Sequence, residues 1–448
     1  MKVVAKKAVL SGNIAVPGSK SHTIRALILA SMADGVSHIS NPLSGDDCFS
    51  TVKAIEKIGG KVTFGDNNVW TVFGAGDNIH IPSDFIDVGN SGSLMYFFAP
   101  VLATLSGKCL FTGDKSICKR PVNHLVDALN TLGATASCKK GNTPPFTFCG
   151  PIDVKKTLVT EGALSQYISG FMMAATRLDG TLNIKLTAPQ ETPYLKMTKL
   201  WLDDVCGKTC ADGTERVFIS DDFKSVRVRG RVNIKGFDRE VPSDWEGVAF
   251  PLIAALISGS SITIDNVDGS GSQGDEKIVD VLKSVGADIE WNKEKCTLSV
   301  RAKSGLSTKN LPHGELCIDI SSFPDAVCAL SVIACFIDGK TVITNVEICR
   351  KKETDRIKAM KTELCKLGGY VEEGENCLII HGKNRGFGLH GGNCESYKDH
   401  RIAMSLACLG LGLSEGESLS VFDAECCNVS FPHFFEVMNK IGAGFVCK

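Results

Sequence analysis

VKAIEKIGGKVTF (residues 52–64), LVDALNTLGATAS (125–137), MTKLWLDDVCGKTC (197–210), IVDVLKSVGADIEW (278–291), MKTELCKLGGYVEE (360–373) and FFEVMNKIGAGFV (434–446) repeat one pattern along the whole chain. In each, an apolar stripe recurs at helical spacing, the helix stops at a glycine, and a short strand-like run follows. The glycines are Gly59, Gly133, Gly207, Gly286, Gly368 and Gly442, spaced 74, 74, 79, 82 and 74 residues apart. Glycine just past a helix end takes left-handed backbone angles without steric cost, so it marks the stop.

A second series interleaves with the first. IRALILASMADGVSHIS (24–40), YISGFMMAATRLDGTLNI (167–184), VAFPLIAALISGSSITI (248–264) and AVCALSVIACFIDGKTVIT (326–344) are helices apolar on every side, each running through a turn glycine into a strand. The turn glycines of this series are Gly35, Gly107, Gly180, Gly259, Gly339 and Gly416. A helix without a polar face must be buried, whereas the first series keeps one polar face and belongs at the surface. The order in each unit is therefore buried helix, strand, surface helix, strands. Six units group as three plus three, which predicts two similar α/β domains with helices inside and sheets around them.

The chain has 448 residues, 49 Lys and Arg against 50 Asp and Glu, and 43% hydrophobic residues. That composition excludes a disordered or collagen-like chain. A net charge of −1 argues against a nucleic-acid partner held by a global positive field, but leaves room for a local cationic cluster. The longest apolar stretches, such as 402–413, fall short of the roughly 18–20 residues of a spanning helix. The N-terminal run MKVVAKKAVLSGNIAVPGSK has no signal-peptide pattern. Among 19 cysteines no CxxC pair occurs, and Cys426–Cys427 is an isolated doublet. Most of them read as reduced, buried small hydrophobes, not as zinc ligands or disulfides. A soluble, cytoplasmic protein without metal is expected.

The distinctive polar residues lie where helices begin. The buried helices follow PGSKSHTIR (17–25), GNSGSLM (89–95), GALSQY (162–167), PSDWEGV (242–248), SSFPDAV (321–327) and YKDHRIA (397–403). CKRPVNH (118–124), ETPYLKM (191–197) and KKETDRI (351–357) precede surface helices. Plain helix capping accounts for Asp46, Ser243, Asp244 and Asp275. It does not account for Lys20, Arg25, Arg120, Arg356 and Arg401, because a cation in a first helical turn opposes the dipole unless an anion sits there. Free N–H groups at helix starts plus Lys and Arg suit phosphate and carboxylate, so the set predicts a pocket for multiply charged anions. GSKS is not a nucleotide P-loop, and GNSGS does not follow the dinucleotide fingerprint, so no nucleotide cofactor is supported.

With GSKS (18–21), GNSG (89–92), RP (120–121), SQ (165–166), PD (324–325), KETDR (352–356) and DHR (399–401), the chain resembles the enolpyruvyl transferases over essentially its whole length. KETDR and DHR are specific to the branch acting on shikimate 3-phosphate. The branch acting on UDP-N-acetylglucosamine lacks KETDR and carries a reactive Cys before RP; Cys118 stands too close to Arg120 to match it. The resemblance implies two inside-out α/β domains of three repeats each, closing over substrate at a cleft. The chain would cross near Lys20 and Glu240, so that residues 1–19 and 240–448 form one domain and 20–239 the other. It further implies a monomer that moves the enolpyruvyl group of phosphoenolpyruvate to the 5-hydroxyl of shikimate 3-phosphate by addition and elimination of phosphate. No metal or organic cofactor is implied, because phosphoenolpyruvate is itself the activated donor.

Carried over residue by residue, the resemblance implies that Lys20, Asn90, Gly92, Arg120, Arg356 and Arg401 hold phosphoenolpyruvate. Lys20, Ser21, Arg25, Ser165, Gln166, Tyr194, Asp325 and Lys352 would hold shikimate 3-phosphate. Asp325 would take the hydroxyl proton, Glu353 would protonate the methylene carbon, Lys20 would neutralise the leaving phosphate, and His400 would lie beside the reacting centre. The chain departs from the family pattern at four places. Tyr96 and Val429 stand where an Arg and a Lys are expected, Leu164 replaces the first Ser of Ser-Ser-Gln, and Glu191 replaces a Ser. Two fewer cations and one extra carboxylate leave two alternatives open: a transferase with a different acceptor, or a non-catalytic anion-binding paralogue.

Overall fold

The computed structural model describes residues 1–301 and 305–448. The chain divides into two compact units, Met1–Pro17 with Pro242–Lys448, and Gly18–Val241. The second contains helices α1 (Lys20–Ser31), α2 (Asp46–Lys57), α3 (Gly92–Leu102), α4 (Asn123–Thr131), α5 (Ser165–Ala175) and α6 (Thr192–Cys206). The first contains α7 (Trp245–Ser258), α8 (Ile278–Ser284), α9 (Val327–Ala334), α10 (Arg356–Lys366), α11 (His400–Leu411) and α12 (Phe434–Lys440).

Apolar patterning sorts these helices as expected. α1, α3, α5, α7, α9 and α11 are buried over nearly their whole surface, whereas the even-numbered helices keep an exposed face. Leu94, Phe97, Phe98, Val101 and Leu102 of α3 are all inaccessible to solvent, and burying each such side chain is worth roughly 1.5–3 kcal/mol. The twelve glycines read from the sequence all have φ between 70° and 132°.

Among the described residues, six sheets, three in each unit, surround the buried helices. In each sheet the strand following a buried helix has a parallel neighbour on one side and an antiparallel neighbour on the other. Phe85–Asp87, before α3, thus runs parallel to Gly107–Thr112, after it, which pairs antiparallel with Thr143–Gly150. At the two chain crossings this arrangement is exchanged. Ser11–Ala15, which precedes α1, pairs with Ser261–Asp265 after α7, while Asp238–Glu240, which precedes α7, pairs with Val36–Ser40 after α1. The N-terminal strand Lys2–Lys6 completes the last sheet, lying between Ser418–Phe422 and Val446–Cys447. Each unit therefore closes on itself by borrowing a strand from a distant part of the chain.

Glycines of another kind went unread in the sequence. A Cβ on Gly74 would lie 2.1 Å from the Ala33 carbonyl oxygen and 2.5 Å from that of Ala30, and Gly150, Gly230 and Gly382 meet the ends of α3, α5 and α9 in the same way. Backbone atoms cannot yield as a flexible side chain does. Gly74→Ala should therefore destabilise the chain by about 2–3 kcal/mol, read as a lowered urea midpoint; an unchanged midpoint would show that the helix end can shift.

Helix starts follow capping grammar only in part. Asp244, Asp355 and Asp399 accept backbone N–H groups of α7, α10 and α11, and Ser91 caps α3. Ser243, expected to cap, instead accepts the Asp268 N–H from a neighbouring loop. Asp46 is the first residue of α2 and makes no side-chain cap, and Asp275 lies in a single turn of 3-10 helix. No described helix is long and apolar enough to cross a membrane.

Candidate active site

In the unit Met1–Pro17 with Pro242–Lys448, the starts of α7, α9, α10 and α11 bring charged residues together. Arg356, the first residue of α10, has a side chain only 1% exposed. Its Nε donates to Asp399 Oδ2 at 2.8 Å and its Nη2 to Asp399 Oδ1 at 3.3 Å, while the other faces of the guanidinium hold Asp325 and Glu353. Asp399 also caps α11, so one fully buried carboxylate fixes both Arg356 and the helix that presents His400 and Arg401. Lys352 Nζ stands 3.5 Å from Asp325 Oδ2, and Arg401 Nε 3.3 Å from Asp325 Oδ1. Arg401 is further bound by Glu246, on the first turn of α7. His400 opens α11 and is buried.

Burial by itself would raise the Asp325 carboxyl, but Lys352 and Arg356 outweigh it and hold it below its ordinary value. Burial likewise opposes the Arg356 charge, and Asp399, Glu353 and Asp325 more than restore it. Asp325 is therefore ionised at neutral pH.

The unit Gly18–Val241 carries the remaining sequence candidates. Lys20 opens α1, and its Nζ lies 3.2 Å from Asp47 Oδ2 on α2. Arg120 donates from Nη2 to Asn90 Oδ1 at 2.7 Å, and Asn90 Nδ2 donates to Asp114 Oδ2 at 2.7 Å. A Cβ on Gly92 would lie 3.3 Å from Arg120 Nη1, so glycine there lets the guanidinium approach the start of α3. Arg25 is fully buried. Its donors reach Thr198 Oγ1, the Ser21 and Tyr194 carbonyls and Ser169 Oγ, and its guanidinium lies 4.5 Å over the Phe97 ring. Gln166 is the half-buried second residue of α5.

Of the five cations read as lying just before or within a first turn, Arg25 alone is placed beyond it. Arg25 is the sixth residue of α1, and Arg120 precedes α4 in extended backbone. For the three that do occupy first turns, Lys20, Arg356 and Arg401, the chain supplies its own anions: Asp47, Asp325, Glu353, Asp399 and Glu246. Sequence reasoning assigned no role to Asp47, Glu246 or Asp399. Asp399 lay within DHR and Glu246 within PSDWEGV, but neither was singled out, and Asp47 was not named.

The four departures from the family pattern fall at defined places in the fold. Tyr96 is buried and donates its hydroxyl to the Pro121 carbonyl at 3.0 Å, bracing the turn that carries Arg120. Leu164 packs against the apolar core, and Val429 ends a short 3-10 helix. Glu191 is 2% exposed and left-handed, with φ 50°. Its Oε2 accepts the Ser165 N–H at 3.1 Å and the Ser165 hydroxyl at 3.0 Å. The carboxylate does not point away: it sits on the start of α5.

The model of the family described as EPSP synthase (3-phosphoshikimate 1-carboxyvinyltransferase) matches residues 4–438. Over 444 residues, 99% of each chain, the sequence is 35% identical to the 3-phosphoshikimate 1-carboxyvinyltransferase of Acetivibrio thermocellus. It is 33% identical over 447 residues to the enzyme of that name from Methanococcus maripaludis, again covering 99% of each. The solved EPSP synthase of Acinetobacter baumannii superposes with a TM-score of 0.80 at 24% identity, over 100% of this chain and 99% of that one, which establishes the shared two-domain α/β fold. Repeats, motifs and full-length matches agree, and the chain belongs to the EPSP synthase family.

Proposed function

We propose that Asp325 and Glu353 are the base and acid of the family's reaction: transfer of the enolpyruvyl group of phosphoenolpyruvate to the 5-hydroxyl of shikimate 3-phosphate. Asp325 accepts the hydroxyl proton as that oxygen bonds to C2 of phosphoenolpyruvate, and Glu353 delivers a proton to C3. Loss of phosphate and of one C3 proton then restores the double bond. Arg120, Arg356, Arg401 and Lys20, with Asn90 and Gly92, hold the donor; guanidinium forks fit its carboxylate and phosphate. Lys20 neutralises the departing phosphate. Ser21, Arg25, Ser165, Gln166, Tyr194 and Lys352 hold the acceptor, and His400 lies beside the reacting atoms. The observation that carries this reading is that one buried guanidinium, Arg356, binds both Asp325 and Glu353, holding base and acid in fixed relation.

The test is phosphate release from purified protein mixed with both substrates. Release that depends on both supports the reading, and no release with no binding of either defeats it. We further take the chain to act as a monomer in the cytoplasm on these two small substrates, with neither nucleic acid nor membrane as partner; the net charge of −1 supports excluding nucleic acid.

Glu191 favours a weakened grip on an anionic acceptor, because a phosphate at Ser165 must displace a carboxylate already there. Glu191→Ser should lower the KM for shikimate 3-phosphate by roughly tenfold. A KM unchanged or raised would show that the acceptor's phosphate is bound elsewhere.

A further inference from the structure

We propose that Glu246 is an exchangeable counter-ion that occupies Arg401 until the anionic donor takes its place, and so sets the affinity for phosphoenolpyruvate. This rests on Arg401 being a donor ligand. The cluster around Arg356 contains three permanent cations, Lys352, Arg356 and Arg401, and four carboxylates, Glu246, Asp325, Glu353 and Asp399. Among these seven residues carboxylates outnumber cations by one. For an anionic donor to reach the Arg401 guanidinium, the carboxylate already bound there must yield its position.

Asp399 cannot yield, because it is fully buried, binds Arg356 through both oxygens and caps α11. Asp325 and Glu353 are the proposed base and acid. Of the four, Glu246 is the one with neither duty, and it binds Arg401 at Nη2, while Asp325 lies 3.3 Å from Arg401 Nε. Its backbone is firmly placed. Asp244 caps α7, the Trp245 N–H donates to Gln273 Oε1 at 2.9 Å, and Trp245 Nε1 donates to the Asp268 carbonyl at 2.7 Å. Exchange thus needs only side-chain rotation of Glu246, not movement of α7.

The arrangement also explains how a cation persists at the start of α11. Arg401 is the second residue of that helix, where the dipole disfavours it, and a buried guanidinium left unpaired is strongly destabilising. Glu246 keeps it paired, and is itself favourably placed in the first turn of α7. When the donor replaces Glu246, Arg401 passes from one anion to another without standing alone. The apparent donor affinity is reduced by the fraction of protein in which Glu246 occupies the guanidinium.

Glu246→Gln preserves shape and a hydrogen-bond acceptor but removes the competing charge. In the full-length protein its KM for phosphoenolpyruvate should fall roughly tenfold, with kcat and the KM for shikimate 3-phosphate each changed by no more than about twofold. Calorimetric titration of the protein with phosphoenolpyruvate alone should show the same tightening. An unchanged or raised donor KM would overturn the proposal. An equal fall in both KM values would do so too, since it would reveal a general field effect and not exchange at Arg401. Failure of the variant to fold, read by thermal melting, would also overturn it by making the pair a fixed structural tie. Wild-type protein that binds no phosphoenolpyruvate would defeat the underlying assignment instead, which keeps the two failures distinct.

Discussion

Replacing Asp325 with asparagine is expected to lower kcat by about 10³-fold while leaving the chain folded. Asparagine keeps an oxygen that can accept from Arg356 but cannot take the acceptor's hydroxyl proton. The substitution also removes one negative charge beside Lys352, Arg356 and Arg401, so the anionic donor should not bind more weakly. The loss should thus appear in kcat, not in KM, when phosphate release is followed. A variant turning over at near wild-type rate would dismiss Asp325 as the base. A pH signature accompanies this. The carboxyl is held below its ordinary value, since Lys352 and Arg356 outweigh the effect of burial. Its ionised form therefore stabilises the fold above the unfolded carboxylate pKa of about 3.9, and that contribution is lost as pH falls through the lower folded value. The stability of Asp325→Asn should consequently vary less with pH below about 4 than that of wild type.

Arg356→Ala is expected to cost about 3–5 kcal/mol of stability, which is a large part of the total for an ordinary domain. The side chain is 1% exposed and compensates three carboxylates, of which Asp399 is wholly buried. Removing it leaves those charges facing one another in a medium that solvates them poorly. Urea unfolding provides the measurement, and a midpoint shift equivalent to less than 1 kcal/mol would mean that the carboxylates find other partners. Two further variants separate charge from geometry. Arg356→Lys restores the charge but not the two parallel donors to Asp399, so its recovery should be partial. Arg356→Ala combined with Asp399→Asn removes the most deeply buried of the unpaired charges and should regain part of the loss.

The architecture was legible because it is periodic. Gly59 and its five counterparts end helices with one polar face, Gly35 and its counterparts end helices with none, and all twelve take the positive φ that only a turn demands. The motifs GNSG, RP, KETDR and DHR were legible too, because each is a run of neighbours. Arg25 was misplaced by a turn or less, since a sequence does not mark where a helix begins to within a few residues. Glu191 was visible as an intruder, but not its grip on Ser165, 26 residues away.

What the sequence by itself determined was therefore the repeat, its two kinds of helix and the family to which the motifs point. These follow from local chemistry: the spacing of apolar side chains, and glycine's freedom to turn. Only the tertiary structure decided which strands are exchanged where the chain crosses, and which anion meets each cation. Ser11–Ala15 finds its partner at Ser261–Asp265, and Arg401 finds Glu246, 155 residues away. A lone cation in a first helical turn announces that an anion is needed, because the dipole requires one. It does not say whether the anion is substrate or chain, and here the fold places Asp47, Glu246, Asp325, Glu353 and Asp399 where the sequence left room for ligand alone.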